Sequence, residues 1–317
     1  MYGTAALGIG AIITIMNVLN GLFSAKVGSF VSVIVIHATG LAAVSLVLLF
    51  TRGGRANIRR VPLYLRTGGV IGVATVFACN YAFTALDASV AVAFLLVGQM
   101  AFSVIIDAVG FLGRPRHPIT ARSLPGLAMA ALGIFAMAWQ GGRANVGGVD
   151  SPSSPNAGAF AAAAAFAAGG LAILSIALNS ELGKRIGVLR SARNNYLAGF
   201  CTTLVVVAIA RPSLAGALPE VAAAGPILAL GGGLLGLLMV GASNVVFPRL
   251  PALAASLFMF AGQLLAGMGA DAVLRGTFDP RKLAGALLIL AGMAANGLLA
   301  HRPAGKERRP AAEGGPC

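Results

Sequence analysis

The chain has 317 residues, 58% hydrophobic and 10% charged, with 23 Lys and Arg against nine Asp and Glu and a mean hydropathy of +0.88. A soluble domain carries about 25% charged residues, so a water-soluble enzyme or binding module is excluded. The formal charge of +14 does not indicate a nucleic-acid partner, because the basic residues are scattered through short loops with no basic domain and no aromatic interleaving.

Apolar runs of about 20 residues, enough to cross a ~30 Å hydrocarbon core, follow one another along most of the chain. In lipid every backbone group must be satisfied internally, so each run is predicted to be a helix. The first span, 3–21, carries Asn17 and Asn20. It lacks a basic n-region, so it reads as a span and not as a cleaved signal. The second, 29–50, holds His37, and the third, 63–84, runs from Gly68 and Gly69 through Gly72 to Asn80. The fourth, 90–111, has Gln99 near its middle and Asp107 toward its end. The fifth, 124–140, closes on Trp139, the single tryptophan, read as an outer-leaflet anchor. Residues 141–158 are rich in Gly, Ser, Pro and Asn and read as a periplasmic linker. Spans 158–179, closing on Asn179, and 194–210 follow. Span 226–246 carries Gly232, Gly236 and Asn244, and 252–273 carries Gln263 and Asp271. The last span is 283–300, and the basic, Pro/Gly-rich tail 301–317 is expected to be disordered and to rest on anionic headgroups.

The chain repeats itself. Gly68, Gly69, Gly72, Asn80, Gly98, Gln99 and Asp107 recur without a gap as Gly232, Gly233, Gly236, Asn244, Gly262, Gln263 and Asp271. Upstream, Asn20 and Gly28 match Asn179 and Gly187; downstream, Arg122, Gly126 and Gly133 match Arg281, Gly285 and Gly292. A unit of about 150 residues is a duplicated domain and not a solenoid repeat. The expected domains are 1–140 and 159–300.

Lys and Arg set the orientation. With the N-terminus inside, the even-numbered loops and tail carry sixteen of them and the odd-numbered loops six, Arg66 making up the twenty-three. Both termini are therefore expected in the cytoplasm. Five spans per unit is an odd number, so the second copy enters from the opposite face, and the basic residues have moved to suit. They crowd Arg52 to Arg60 in the first copy and Lys184 to Arg193 in the second. The expected fold is all-α and integral to the membrane, ten transmembrane helices in two inverted five-helix repeats.

Gln99 and Gln263 lie at the costliest depth for an amide and need a partner or an aqueous cavity. Two readings stand: recognition of a polar solute at the repeat interface, or an interhelical hydrogen bond worth ~0.6 kcal/mol on average. Asn80, Asn244, Asn17 and His37 are further candidate substrate-binding residues. Asp107 and Asp271 each follow their Gln by eight residues, ~12 Å along the axis. Inversion sends them to opposite faces, on the order of 20 Å apart, too far to share a proton. They are candidates for ion coupling or gating, or helix-end residues bonded to a loop or Arg. Asn20 and Asn179 are gate candidates too, with a cap or tight turn before Gly28 and Gly187 as the plainer reading. Gly68 with Gly72, and Gly232 with Gly236, form small-xxx-small ridges for helix packing. Glu181 is expected at the interface beside Lys184 and Arg185. Cys79, Cys201 and Cys317 sit singly and give neither a disulfide framework nor a metal spacing. No catalytic constellation, nucleotide loop or metal cluster is present, so neither enzyme activity nor a cofactor is expected.

Asn20-x7-Gly28-Ser29, Gly69-x2-Gly72 and Val97-Gly98-Gln99 with Asp107-x2-Gly110 resemble the YdcZ-like branch of the drug/metabolite transporter superfamily. The resemblance covers roughly residues 5–140 and 159–300, two five-helix units in one chain. The second half departs where Leu274 stands opposite Gly110. The resemblance implies a bacterial inner-membrane protein with a central cavity lined by the third and fourth helices of each repeat, working by alternating access. The expected function is a secondary transporter, an exporter of a small metabolite or drug-like solute. A passive channel and a structural or lipid-handling protein are the alternatives. The expected partners are that solute, the lipid bilayer, a proton or other coupling ion and a second copy of the chain.

Overall fold

The computed structural model describes residues 2–51, 61–113, 124–138, 155–246, 249, 252–276 and 280–300. Among these the chain is helical, with no strand. The helices are α1 (Tyr2–Val27), α2 (Ser29–Phe50), α3 (Gly68–Ala85), α4 (Ala88–Val109), α5 (Leu124–Ala138), α6 (Pro155–Ile186), α7 (Val188–Ala210), α8 (Ala217–Ala224), α9 (Pro226–Val246), α10 (Ala252–Arg275) and α11 (Pro280–Ala300). A 3-10 turn, Leu63–Arg66, leads into α3, and another, Phe111–Gly113, follows α4.

Five helical segments of the described residues are long and apolar enough to span a bilayer: Tyr2–Val27, Ser29–Phe50, Leu63–Ala85, Ala88–Ile106 and Ala157–Ile186. A sixth is added if α8 and the start of α9, bent by 82° at Gly225, count as one. The other expected spans fall on helices whose described parts are short, such as α5, or whose first turns are charged, such as α7 with Arg190 and Arg193.

Several boundaries differ from the hydropathy reading, for local reasons. α6 and α11 begin at Pro155 and Pro280, ahead of the expected 158 and 283, because proline suits the first helical turn, where no N–H partner is needed. The expected linker 141–158 thus loses its last four residues to α6; the rest of it through 154, Trp139 and the tail lie outside the described residues. α1 and α6 run on to Val27 and Ile186, so Asn20 and Asn179 are inside helices and cap nothing. The breaks come at Gly28 (φ 78°) and Gly187 (φ 88°), conformations that a side chain would strain. Gly110 (φ 70°) closes α4, and in α10 the same task falls to Gly276 (φ 66°), which is why Leu274 can replace the motif glycine.

The two halves of the chain interlock. α1 packs chiefly on α10, α4 on α6, α5 on α11, and α2 on α7 and α9, while α3 lies on α6 and α7. Each principal contact therefore joins one half to the other. The largest buried cluster gathers α3, α4, α6, α10 and α11 around Phe83, Leu96, Leu264 and Ile289. Contacts fix direction as well. Gly10 meets Met259 and Thr14 meets Gln263, so α1 and α10 run the same way; Gly98 meets Phe166 and Gly170 meets Phe102, so α4 and α6 do too. The start of α4 touches the end of α10, so these two are antiparallel.

Candidate functional site

The duplicated glycines mark where helices of opposite halves touch. A Cβ on Gly98 would overlap the carbonyl oxygen of Phe166, and one on Gly169 that of Leu95. The matching crossing repeats the pattern: Gly262 against the Leu7 carbonyl, Gly10 against the Met259 carbonyl. Gly69 sits on the Asn195 carbonyl and Gly233 on Thr39. Gly68 lies against the Asn179 amide and Gly232 against the Asn20 amide. Asn20 and Asn179 are thus reciprocal contacts between halves. Of the expected ridges, Gly72 has only a distant neighbour, Asn195 Oδ1 at 3.9 Å from an added Cβ, whereas Gly236 faces the Tyr196 hydroxyl. The tight contact in α3 is the second glycine of the pair, Gly69.

These crossings hold Gln99 and Gln263 in one layer. Gln263 precedes Asp271 by eight residues, ~12 Å, and Gln99 follows Ala88 by eleven, ~16 Å. Ala88 touches Asp271, so the amides differ in depth by about 5 Å. Gln263 is 1% exposed, and among the described residues neither its Oε1 nor its Nε2 has a hydrogen-bond partner. Its backbone is held by Thr14, whose hydroxyl donates to the Gln263 carbonyl at 3.0 Å. An orphaned buried amide costs about 1–3 kcal/mol, so an amide with both ends free needs a reason. Gln99 is buried as well.

Asn80 is fully buried; its Nδ2 donates to Ser32 Oγ at 3.4 Å, and its Oδ1 has no partner among the described residues. Gly21 packs on Phe83, which brings the buried Asn17 and Asn80, each about one turn earlier, to similar depth. His37 is buried on α2, its Nδ1 donating to the Val33 carbonyl at 2.9 Å. Its ring lies edge-on to Tyr196, centroids 6.4 Å apart, and each ring rests on a glycine of the other's helix: His37 on Gly199, Tyr196 on Gly40. The side chains of Asn244 and Asp107 lie outside the described residues.

Asp271 sits at the end of this layer's helix in a charged cluster. Its Oδ1 accepts from the Ala88 N–H at 2.8 Å and its Oδ2 from the Ser89 N–H at 3.1 Å; the Ser89 hydroxyl also donates to Oδ2. Two unsatisfied donors at the start of α4 thus find a carboxylate from the other half. Lys282 Nζ lies 3.5 Å from Asp271 Oδ2 and 2.6 Å from Asp87 Oδ2. The helix-end reading of Asp271 anticipated a nearby Arg; the Arg275 side chain is outside the described residues, and the cation seen is Lys282. Sequence reasoning passed over Asp87 and Ser89 and placed Lys282 in a loop. The signal available was Asp87-Ala88-Ser89 before an apolar run, a helix-start pattern.

At the opposite surface Ser191 Oγ donates to the Asn179 carbonyl at 2.6 Å, and Asn179 Nδ2 to Asn195 Oδ1 at 2.8 Å. Ser175 Oγ donates to the Gly68 carbonyl at 2.9 Å. Glu181 pairs with Lys184 (3.1 Å) and Arg185 (3.3 Å). Cys79 is buried, Cys201 exposed, and both are free. Among the described residues no three His, Cys, Asp or Glu side chains group as metal ligands.

A solved crystal structure shares the fold at a TM-score of 0.53 and 19% identity, over 94% of this chain and 98% of that one. No curated protein sequence matches the chain. The sequence profile of the family described as "Putative inner membrane exporter, YdcZ" matches residues 1–136 and again residues 160–295. The chain therefore belongs to the family so described, whose profile it matches twice.

Proposed function

We propose that the protein is a secondary transporter that moves a small, uncharged, hydrogen-bonding solute out of the cell by alternating access between two inverted five-helix repeats, 1–140 and 159–300. The observation that carries this reading is the Gln263 amide, fully buried in the layer shared by both halves with donor and acceptor unsatisfied. Thr14, Asn17, Asn80 and Gln99 would complete a polar lining without charge. The reversed directions of α1 and α6, implied by the α1–α10, α4–α6 and α4–α10 contacts, support inversion. The basic loops support an orientation with both termini in the cytoplasm of a bacterial inner membrane, and a proton or other coupling ion would supply the energy.

The test is uptake into proteoliposomes from a panel of neutral metabolites and drug-like compounds, with and without a proton gradient. Saturable, gradient-driven flux that is lost in Gln263→Leu, with the variant still folded, supports the reading. Non-saturable flux indicates a channel. Unchanged flux in Gln263→Leu removes the amide from the site.

A further inference from the structure

We propose that Asp87, Ser89, Asp271 and Lys282 form an ion latch between the halves, which holds one end of α4 closed against α10 and α11. The geometry has a division of labour. Asp87 precedes α4, and its backbone carbonyl accepts from the Ala91 N–H at 2.8 Å, as an N-cap residue's does. Its side-chain Oδ2 accepts from Lys282 on α11. The capping comes from across the interface, through Asp271 on α10. Three separate chain segments are thereby fixed to one another: the α3–α4 turn, the end of α10 and the start of α11. Side-chain exposures of 8% for Asp87, 4% for Asp271 and 11% for Lys282 place the group out of water, where ion pairs are least screened.

The sequence does not repeat the latch. At the spacing that carries Asp107 onto Asp271, Asp87 and Ser89 fall on Pro251 and Leu253. At the spacing that carries Arg122 onto Arg281, Lys282 falls on Ser123. Of the four latch residues only Asp271 has a like counterpart, Asp107, at the repeat-related positions. A symmetric pair of repeats would open equally well either way, and a one-sided latch biases the resting state toward closure at the α3–α4 turn, the outer face by the loop charges. The latch itself rests on the contacts above; only its part in a transport cycle rests on the transporter reading.

The test uses the full chain in nanodiscs with Cys79, Cys201 and Cys317 replaced by Ser. Reporter cysteines replace Val92, one turn inside the latch and 1% exposed, or Ile106, toward the other end of α4 and 7% exposed. Labelling by a water-soluble thiol reagent is followed in Asp87→Asn, Lys282→Met and Lys282→Arg backgrounds. The Val92→Cys rate should rise by roughly fivefold or more in Asp87→Asn and Lys282→Met, the lower end of usual coupling effects, and stay near the parent's in Lys282→Arg. The double variant Asp87→Asn/Lys282→Met removes both partners and controls for an unpaired buried charge; it too should label fast. Unchanged Val92→Cys labelling in folded single and double variants overturns the latch. If Val92→Cys speeds up while Ile106→Cys slows, latch and alternating access both stand. If Val92→Cys speeds up and Ile106→Cys does not slow, the latch stands and alternating access fails.

Discussion

Three glycines of α3 should respond very differently to one added methyl group. A Cβ on Gly69 would run into the Asn195 carbonyl and the Gly199 N–H, both main-chain groups of α7 that cannot rotate away. Alanine there must push α3 off α7, and overpacking of this kind costs about 1–3 kcal/mol, with the upper end expected where backbone meets backbone. At Gly68 the obstacle is the Asn179 side chain, which can move at the expense of its bond to Asn195 Oδ1, a loss of about 1 kcal/mol. Gly72 has Asn195 Oδ1 at 3.9 Å and nothing nearer. Alanine fits there, and its better helix propensity can add up to ~1 kcal/mol. Thermal unfolding in detergent should order the midpoints Gly72→Ala at or above the parent, then Gly68→Ala, then Gly69→Ala. A Gly72→Ala midpoint as low as that of Gly69→Ala would refute this account of how α3 meets α7.

Gln263→Leu should raise stability by about 1–3 kcal/mol, because it removes an unsatisfied buried amide, while removing transport; denaturant unfolding and flux measured together check it. Asp271→Ala should cost about 3–5 kcal/mol, since it strips two N–H caps from α4 and a carboxylate from Lys282, whereas Ser89→Ala should cost about 1 kcal/mol; equal losses would contradict the geometry. Gly40→Ala and Gly199→Ala should both lower the thermal midpoint, and Tyr196→Ala should rescue Gly40→Ala alone, since each glycine seats a different ring. Glu181→Gln should leave the midpoint where it is, because exposed helix-surface pairs contribute little.

The duplicated string in the sequence marked the right positions, because a glycine at a helix crossing must recur wherever the crossing recurs. What it could not supply was the partner. Gly98 touches Phe166, and Gly262 touches Leu7, residues with no motif of their own. Asn20 and Asn179 looked like helix ends because apolar counting stops at them; α1 and α6 continue because the following turns pack on other helices. Asp87 and Lys282 were invisible for the opposite reason. Reading by repetition favours what is shared, and Asp87, Ser89 and Lys282 have no like residue at the repeat-related positions. Gln263 was legible by depth alone, since a mid-membrane amide is costly wherever it points.

Interlocking has a consequence for synthesis. When α1 to α5 have entered the bilayer, α1 still awaits α10, α4 awaits α6 and α5 awaits α11. The grooves around Gly10, Gly98 and Gly133 face lipid until then, unlike a domain that matures as it emerges. The last of the described helices, α11, brings both the surface that covers α5 and the ammonium of Lys282. Assembly therefore waits for α11, and a chain truncated before Pro280 should be inserted, unlocked and open to proteolysis.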